Sequence, residues 1–227
     1  MLSNIVLDEL DKELERRGLH FVRYADDVAI YVKDKRTGDR VLKRITRFLR
    51  RKLKLAVNEA KSVVARPWEA KFLGFCTTRF MGTTRTVIHG TSQKRFCKEV
   101  RRITARSRGR SVRQIIAELN DYLQGWKPYY QVGVSKTRGN ALNAWILRRL
   151  RAYIWEQWKL PRTKVRNLKK LGLWHESAKS LGNTRKGPWR IVKHSHIKHV
   201  MPEQLFTQKL GCLRCVIHPY SLAERHE

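Results

Sequence analysis

Leu2, Ile5, Val6, Leu10 and Leu14 recur at helical spacing, and Gly18 follows as a stop, so the chain opens on a predicted helix. Phe21-Val22-Arg23-Tyr24-Ala25 and Val28-Ala29-Ile30-Tyr31-Val32 are two short β-prone runs separated by Asp26 and Asp27, which reads as strand, tight turn, strand. Residues 34–39 carry turn chemistry. Val41, Leu42, Ile45, Phe48, Leu49 and Leu53 then mark an amphipathic helix whose other face is Lys43, Arg44, Arg47, Arg50 and Arg51. Four short β-prone runs come next: Leu55-Ala56-Val57, Ser62-Val63-Val64-Ala65, Phe72-Leu73-Gly74-Phe75-Cys76 and Arg85-Thr86-Val87-Ile88. Helices and strands in this order predict an α+β unit over residues 1–90.

From Thr91 the pattern is helical. Ser111-Val112-Arg113-Gln114 fits a capping box, opening a helix with Val112, Ile115, Ile116, Leu119 and Leu123 on its apolar face and Gly125 as its expected end. A second helix turns Leu142, Trp145, Ile146, Leu150, Tyr153 and Ile154 inward, with Arg148, Arg149 and Arg151 mostly turned away. Pro161, Gly172 and Gly182 punctuate the chain beyond that helix, and no clear period survives past Thr184. The expected division is 1–90, 91–160 and 161–227.

Charge changes this picture from a fold to a partner. Fifty Lys and Arg against 19 Asp and Glu give a net charge of +31, a load that repels itself unless a polyanion offsets it. The excess is uneven: residues 1–69 hold 17 basic and 11 acidic side chains, residues 70–202 hold 30 and 5, and the remainder hold 3 and 3. The middle of the chain is therefore the electrostatic footprint of a nucleic-acid partner. Four cysteines in 227 residues make no disulfide scaffold, no apolar run is long enough to span a membrane, and the first residues lack a basic leader. A reducing, intracellular (cytoplasmic) setting with no membrane partner is expected.

Two adjacent carboxylates at a hairpin turn can approach one point in front of the sheet, where hard oxygen ligands suit Mg²⁺. A bare Asp-Asp is also ordinary turn chemistry. Here the pair sits in Tyr24-Ala25-Asp26-Asp27, with Leu2-Ser3-Asn4-Ile5 upstream and Leu55-Ala56-Val57-Asn58-Glu59-Ala60-Lys61-Ser62 and Phe72-Leu73-Gly74-Phe75 downstream. That series resembles the palm of group II intron-encoded reverse transcriptases. Leu119-Asn120-Asp121-Tyr122-Leu123-Gln124-Gly125-Trp126, Tyr129-Tyr130 and Gly187-Pro188-Trp189-Arg190-Ile191 are similar to the thumb and maturase region of the same family.

The resemblance implies a partial right-hand palm followed by a mostly α-helical thumb and maturase region. Asp26 would be the essential Mg²⁺ ligand and Asp27 its weaker companion, serving RNA-directed DNA polymerisation by two-Mg²⁺ nucleotidyl transfer. Tyr24 and Ala25 would line the floor near the primer end, and Lys61 would contact phosphates or pyrophosphate. Phe72 to Phe75 would be a core strand positioning the primer-gripping hairpin. Structured intron RNA and an RNA/DNA hybrid would be the partners.

The family's third carboxylate and its fingers have no counterpart here. Asp8, Glu9, Asp11, Glu13 and Glu15 read as the solvated face of the opening helix. Two readings stand: a separate chain supplies the missing segment, or the chain is a non-catalytic RNA-binding remnant. Splicing assistance needs no catalytic carboxylate. For RNA contact the candidates are Arg101, Arg102, Arg106, Arg108, Arg110 and Arg113 around Gly109, then Arg148, Arg149 and Arg151, with Trp126, Tyr129 and Tyr130 as exposed rings able to stack on bases. Cys212-Leu213-Arg214-Cys215 with His218 and His226 is half a zinc pattern at best, so reduced thiols are expected rather than zinc. His194, His196 and His199 suit polar contact with RNA better than a metal.

Overall fold

The computed structural model describes residues 2–80 and 82–214. They form an α+β chain of two compact units, divided between Ser92 and Gln93.

In the first unit, α1 (Leu2–Arg16) is followed by β1 (His20–Tyr24), β2 (Asp27–Tyr31) and α2 (Lys35–Arg51). β1 and β2 pair antiparallel with Phe21 opposite Ile30 and Tyr24 opposite Asp27. A lone two-stranded hairpin is marginal in water. Phe21, Val28 and Ile30 therefore pack, with Val41, Phe48 and Leu49 of α2, on a core of Leu7, Leu10, Leu14 and Ile45. Leu7 replaces Ile5 and Val6 in that core: the latter two are exposed, a shift of the expected apolar face toward the side that meets the hairpin.

α2 starts earlier than its apolar pattern predicts. Asp34 caps it, accepting 2.8 Å bonds from the Thr37 amide and hydroxyl, so the supposed turn of residues 35–39 is its first helical turn. Gly38 is buried there because a Cβ would stand 2.6 Å from Cγ1 of Val64.

Leu55-Ala56-Val57 and Ser62-Val63-Val64-Ala65 are not strands, since no neighbouring strand offers them a ladder. The Phe72-Leu73-Gly74-Phe75 expectation is also corrected. Leu73 (φ 49°) and Gly74 (φ 85°) form a tight turn closed by two 2.9 Å bonds between the backbones of Phe72 and Phe75. Positive φ at both central residues is the mark of a type I′ turn. Only from Phe75 does β3 (Phe75–Phe80) begin, pairing antiparallel with β4 (Thr83–Ile88).

The second unit is helical, and the unit boundary falls in the first turn of α3 (Gly90–Ile103). α4 (Val112–Tyr130), α5 (Lys136–Gln157), α6 (Pro161–Lys170), α7 (His175–Gly182), α8 (Pro188–Ile191) and α9 (Ser195–Val200) follow, then a π-turn over Leu205–Lys209. The Ser111/Gln114 capping box is present in both directions. α4 does not stop at Gly125, however; it runs through Gly125 and Pro128 to Tyr130. Glycine costs a helix only about 1 kcal/mol relative to alanine. Trp126, one residue on, is buried against Phe96 with ring centroids 4.3 Å apart, which outweighs that cost.

α5 is the axis of this unit. Leu150, Tyr153 and Trp155 are fully enclosed, together with Phe96 and Ile103 of α3, Ile115, Ile116, Leu119 and Leu123 of α4, Leu168 of α6 and Phe206. At roughly 1.5–3 kcal/mol for each fully buried large apolar side chain, this core supplies the driving force that propensity alone would not. No described helix is long and apolar enough to cross a membrane.

Candidate functional site

The hairpin turn consists of Ala25 and Asp26; Asp27 lies on β2 opposite Tyr24, so the two carboxylates are divided between turn and strand. Ala25 takes φ 53°, a left-handed conformation that a non-glycine residue holds only when its surroundings enforce it. The enforcing group is Arg23. Its Nη1 donates to the Ala25 carbonyl at 3.0 Å and to Asn4 at 3.2 Å, while Nε and Nη2 grip Asp11 at 2.6–2.9 Å. Asp11 is thus no part of a solvated face, as its helical spacing suggested; it anchors the turn to α1, with the pair largely shielded.

Tyr24, Ala25, Asp26 and Asp27 are all exposed, Tyr24 at 65%. Asp26 and Asp27 offer the hard donors Mg²⁺ needs. Among the described residues no three His, Cys, Asp or Glu side chains come together, so these two carboxylates do not by themselves complete a two-metal cage. Lys61 is exposed in a turn where its amide bonds Asn58, with its side chain in solvent.

The arginines at the α3–α4 junction are more occupied than their number implies. Glu118 accepts from Arg102 at 3.0 Å and from Arg108 and Arg110 at 2.8 Å each. Hydrogen bonding, above all from Arg108, holds its carboxyl below the usual carboxylate range. Glu99 also pairs with Arg102, and Glu156 stands 3.7 Å from Arg106. The Arg110 carbonyl is tied down by the Tyr153 hydroxyl at 2.5 Å and by Gln157 at 2.6 Å, fixing the loop that turns at Gly109 (φ 66°). Arg106, Arg110 and Arg113 still reach solvent, as does Arg101, whose guanidinium stands 5.6 Å from the Trp145 ring centre.

Arg148, Arg149 and Arg151 do not line an open helix face. Arg151 is buried and donates to the Met201 carbonyl at 2.8 Å. Arg149 bonds the Thr104 hydroxyl at 2.5 Å, and Arg148 lies 3.7 Å over Trp189 while bonding that residue's carbonyl at 2.6 Å. Burial lowers all three from the ordinary guanidinium value. Over its buried stretch α5 is flanked by other elements, and its three arginines fasten those neighbours through backbone carbonyls and the Thr104 hydroxyl. Trp126 is likewise corrected from exposed to buried; Tyr130 is half-buried with its ring stacked on Trp126, and Tyr129 alone of the three is well exposed.

One basic surface escaped the sequence reading. α6 and α7 pack as a pair, with Gly182 so close to α6 that a Cβ would stand 2.5 Å from Val165 Cγ2. Between them opens a shallow groove of about 920 Å³, edged by Arg162, Arg166, Lys169, Lys170, His175 and Lys179, all exposed. Arg162, Arg166, Lys169 and Lys170 fall at i, i+4, i+7 and i+8, a helical stripe that was there to be read.

Cys212 is buried, its thiol pushed up to about 11 by burial, while Cys215, His218 and His226 lie outside the described residues. His194 accepts a capping bond from the His196 amide, and their rings lie 5.0 Å apart.

Comparison with known proteins adds two matches. A family model described as Reverse transcriptase (RNA-dependent DNA polymerase) matches residues 1–77, and one described as Group II intron, maturase-specific domain matches residues 93–174. No curated protein matches the chain.

Proposed function

Since the chain belongs to the group II intron reverse transcriptase/maturase family, we propose that it binds structured intron RNA through its helical unit and assists the RNA to splice. The observation that carries this reading is the charge of that unit's matched segment: 21 basic against 4 acidic side chains over residues 93–174, the residues that match the maturase-specific model. Arg101, Arg106, Arg110 and Arg113 keep solvent-facing guanidinia for phosphate, and Tyr129 offers an exposed ring. Arg102 and Arg108 act through Glu118 to shape the junction, and Arg148, Arg149 and Arg151 hold the unit together.

Binding across a salt series tests this. If Z phosphates are neutralised, log K falls against log salt with a slope of about −0.7Z to −0.9Z. A slope near zero with a folded group II intron RNA overturns the proposal.

A second reading concerns the first unit, favoured by the Arg23-clamped turn that presents Asp26. There Asp26 and Asp27 contribute two of the carboxylates for nucleotidyl transfer on an RNA/DNA hybrid, with Tyr24, Ala25 and Lys61 beside them. Mg²⁺ bound by the completed set would supply the charge stabilisation of that chemistry. Further carboxylates, and surfaces that hold template and nucleotide, would have to join these two, since no third ligand stands beside them among the described residues. Alone, this chain is expected not to extend a primer. Supplying a fingers-palm segment in trans and still finding no Mg²⁺-dependent extension counts against this second reading.

A further inference from the structure

The two basic regions of the helical unit differ in what faces their charges. At the α3–α4 junction three arginines share Glu118, a fourth stands near Glu156, and Glu99 pairs with Arg102 as well. Along the α6–α7 groove, none of Arg162, Arg166, Lys169, Lys170 and Lys179 has a carboxylate within ion-pair distance among the described residues. Glu176, the only acid on either helix, lies 3.9 Å from His175. Lys164, which belongs to the same helix, is withdrawn to the Trp155 ring 5.2 Å away, so the other cations of α6 alone bear on the groove.

Such charges, on a surface where α7 packs closely on α6 at Gly182, repel one another at short range, and a polyanion relieves that repulsion. Their arrangement along one helix, at i, i+4 and i+7, sets successive side chains about 5–6 Å apart, a row of cations that the phosphates of an extended strand can follow. Next in the chain to His175, which edges the groove, Trp174 occupies the N-cap position of α7 with 75% of its surface exposed. A tryptophan in that state costs apolar hydration unless something stacks on it. Paired bases already stack on one another, whereas an unpaired base offers a free face.

Resting on the RNA-binding reading, we infer that the α6–α7 groove is a binding site for an unpaired RNA strand, its phosphates along Arg162, Arg166, Lys169, Lys170 and Lys179 and one base on Trp174. This groove, rather than the arginine-rich junction, carries the salt-sensitive part of the affinity for single-stranded RNA.

The test is fluorescence anisotropy of the full chain with a labelled oligouridylate and with a duplex of equal length, across a salt series. Arg166→Gln/Lys169→Gln/Lys170→Gln flattens the oligouridylate slope by about 2, since each lost phosphate contact on a single strand removes about 0.7. Trp174→Ala weakens oligouridylate binding roughly five- to a hundredfold, leaves the duplex within about twofold, and is rescued by Trp174→Phe. All four positions are exposed, so the variants keep the core intact. Wild-type affinity and slope in the triple variant and in Trp174→Ala, with wild-type binding present, overturn the groove alone. Absence of binding by the wild-type chain to either RNA overturns the RNA-binding reading beneath it.

Discussion

The hairpin that presents Asp26 and the helix α5 at the centre of the second unit use arginine for opposite ends. Arg23 spends its guanidinium on a loop at the surface, holding Ala25 in a left-handed conformation so that two acids project into solvent. Arg149, half-buried, and Arg151, buried, spend theirs on the carbonyls and hydroxyl of neighbouring elements. One arrangement presents carboxylates to solvent; the other ties a scaffold together. The first unit rests on a core of four buried apolar residues and two-stranded sheets, while the second encloses aromatic and aliphatic side chains from α3, α4, α5 and α6.

Hollowing the second unit's core has the largest expected effect. Trp155→Ala is expected to cost the second unit about 3–5 kcal/mol, the usual range for deleting a buried tryptophan. Denaturant unfolding should then show one transition moving early while the first unit's transition stays in place. A single transition shifting as a whole would mean that the two units do not unfold separately.

Arg23→Gln comes next, because it breaks a partly shielded ion pair and leaves the Asp11 carboxylate unmatched. Amide exchange at Ala25, Asp26 and Asp27 should quicken more than in α2. Equal quickening throughout the unit would assign Arg23 to general stability instead of to the turn.

Glu118→Gln is smaller, at about 1 kcal/mol, since its partners remain partly solvated. The carboxyl titrates below its ordinary 4.5 in the folded chain, so its ionised form stabilises above that value. That contribution fades as pH falls below 4.5. The difference in unfolding midpoint between wild type and Glu118→Gln should therefore shrink on acidification; a gap that widens would contradict the assignment.

Asp26→Ala should have the least effect on RNA affinity, within about twofold. A large loss would mean that the exposed turn, and not the helical unit, grips RNA.

Much of this was legible from local pattern. The two β-prone runs on either side of Asp26 and Asp27 predict the hairpin, and Ser111 with Gln114 announces α4 with its own caps, because both features are written within a few residues. Legibility failed where distant partners decide. Gly125 reads as a stop until Phe96 is known to receive Trp126. Arg151 reads as surface until the Met201 carbonyl, fifty residues on, is seen to accept from it. Val63 and Val64 are β-prone but find no strand to pair with, and Val64 instead packs against Gly38. The α6 stripe is regular, yet it becomes a groove only because Gly182 lets α7 approach.

The most direct measurement tracks binding of the full chain to a folded group II intron RNA and to an unrelated RNA of equal length, with intron splicing timed in the same tubes. Tighter binding to the intron together with faster splicing is the expected result. Equal affinity for the two RNAs with an unchanged splicing rate would contradict it, leaving a basic surface without the maturase function.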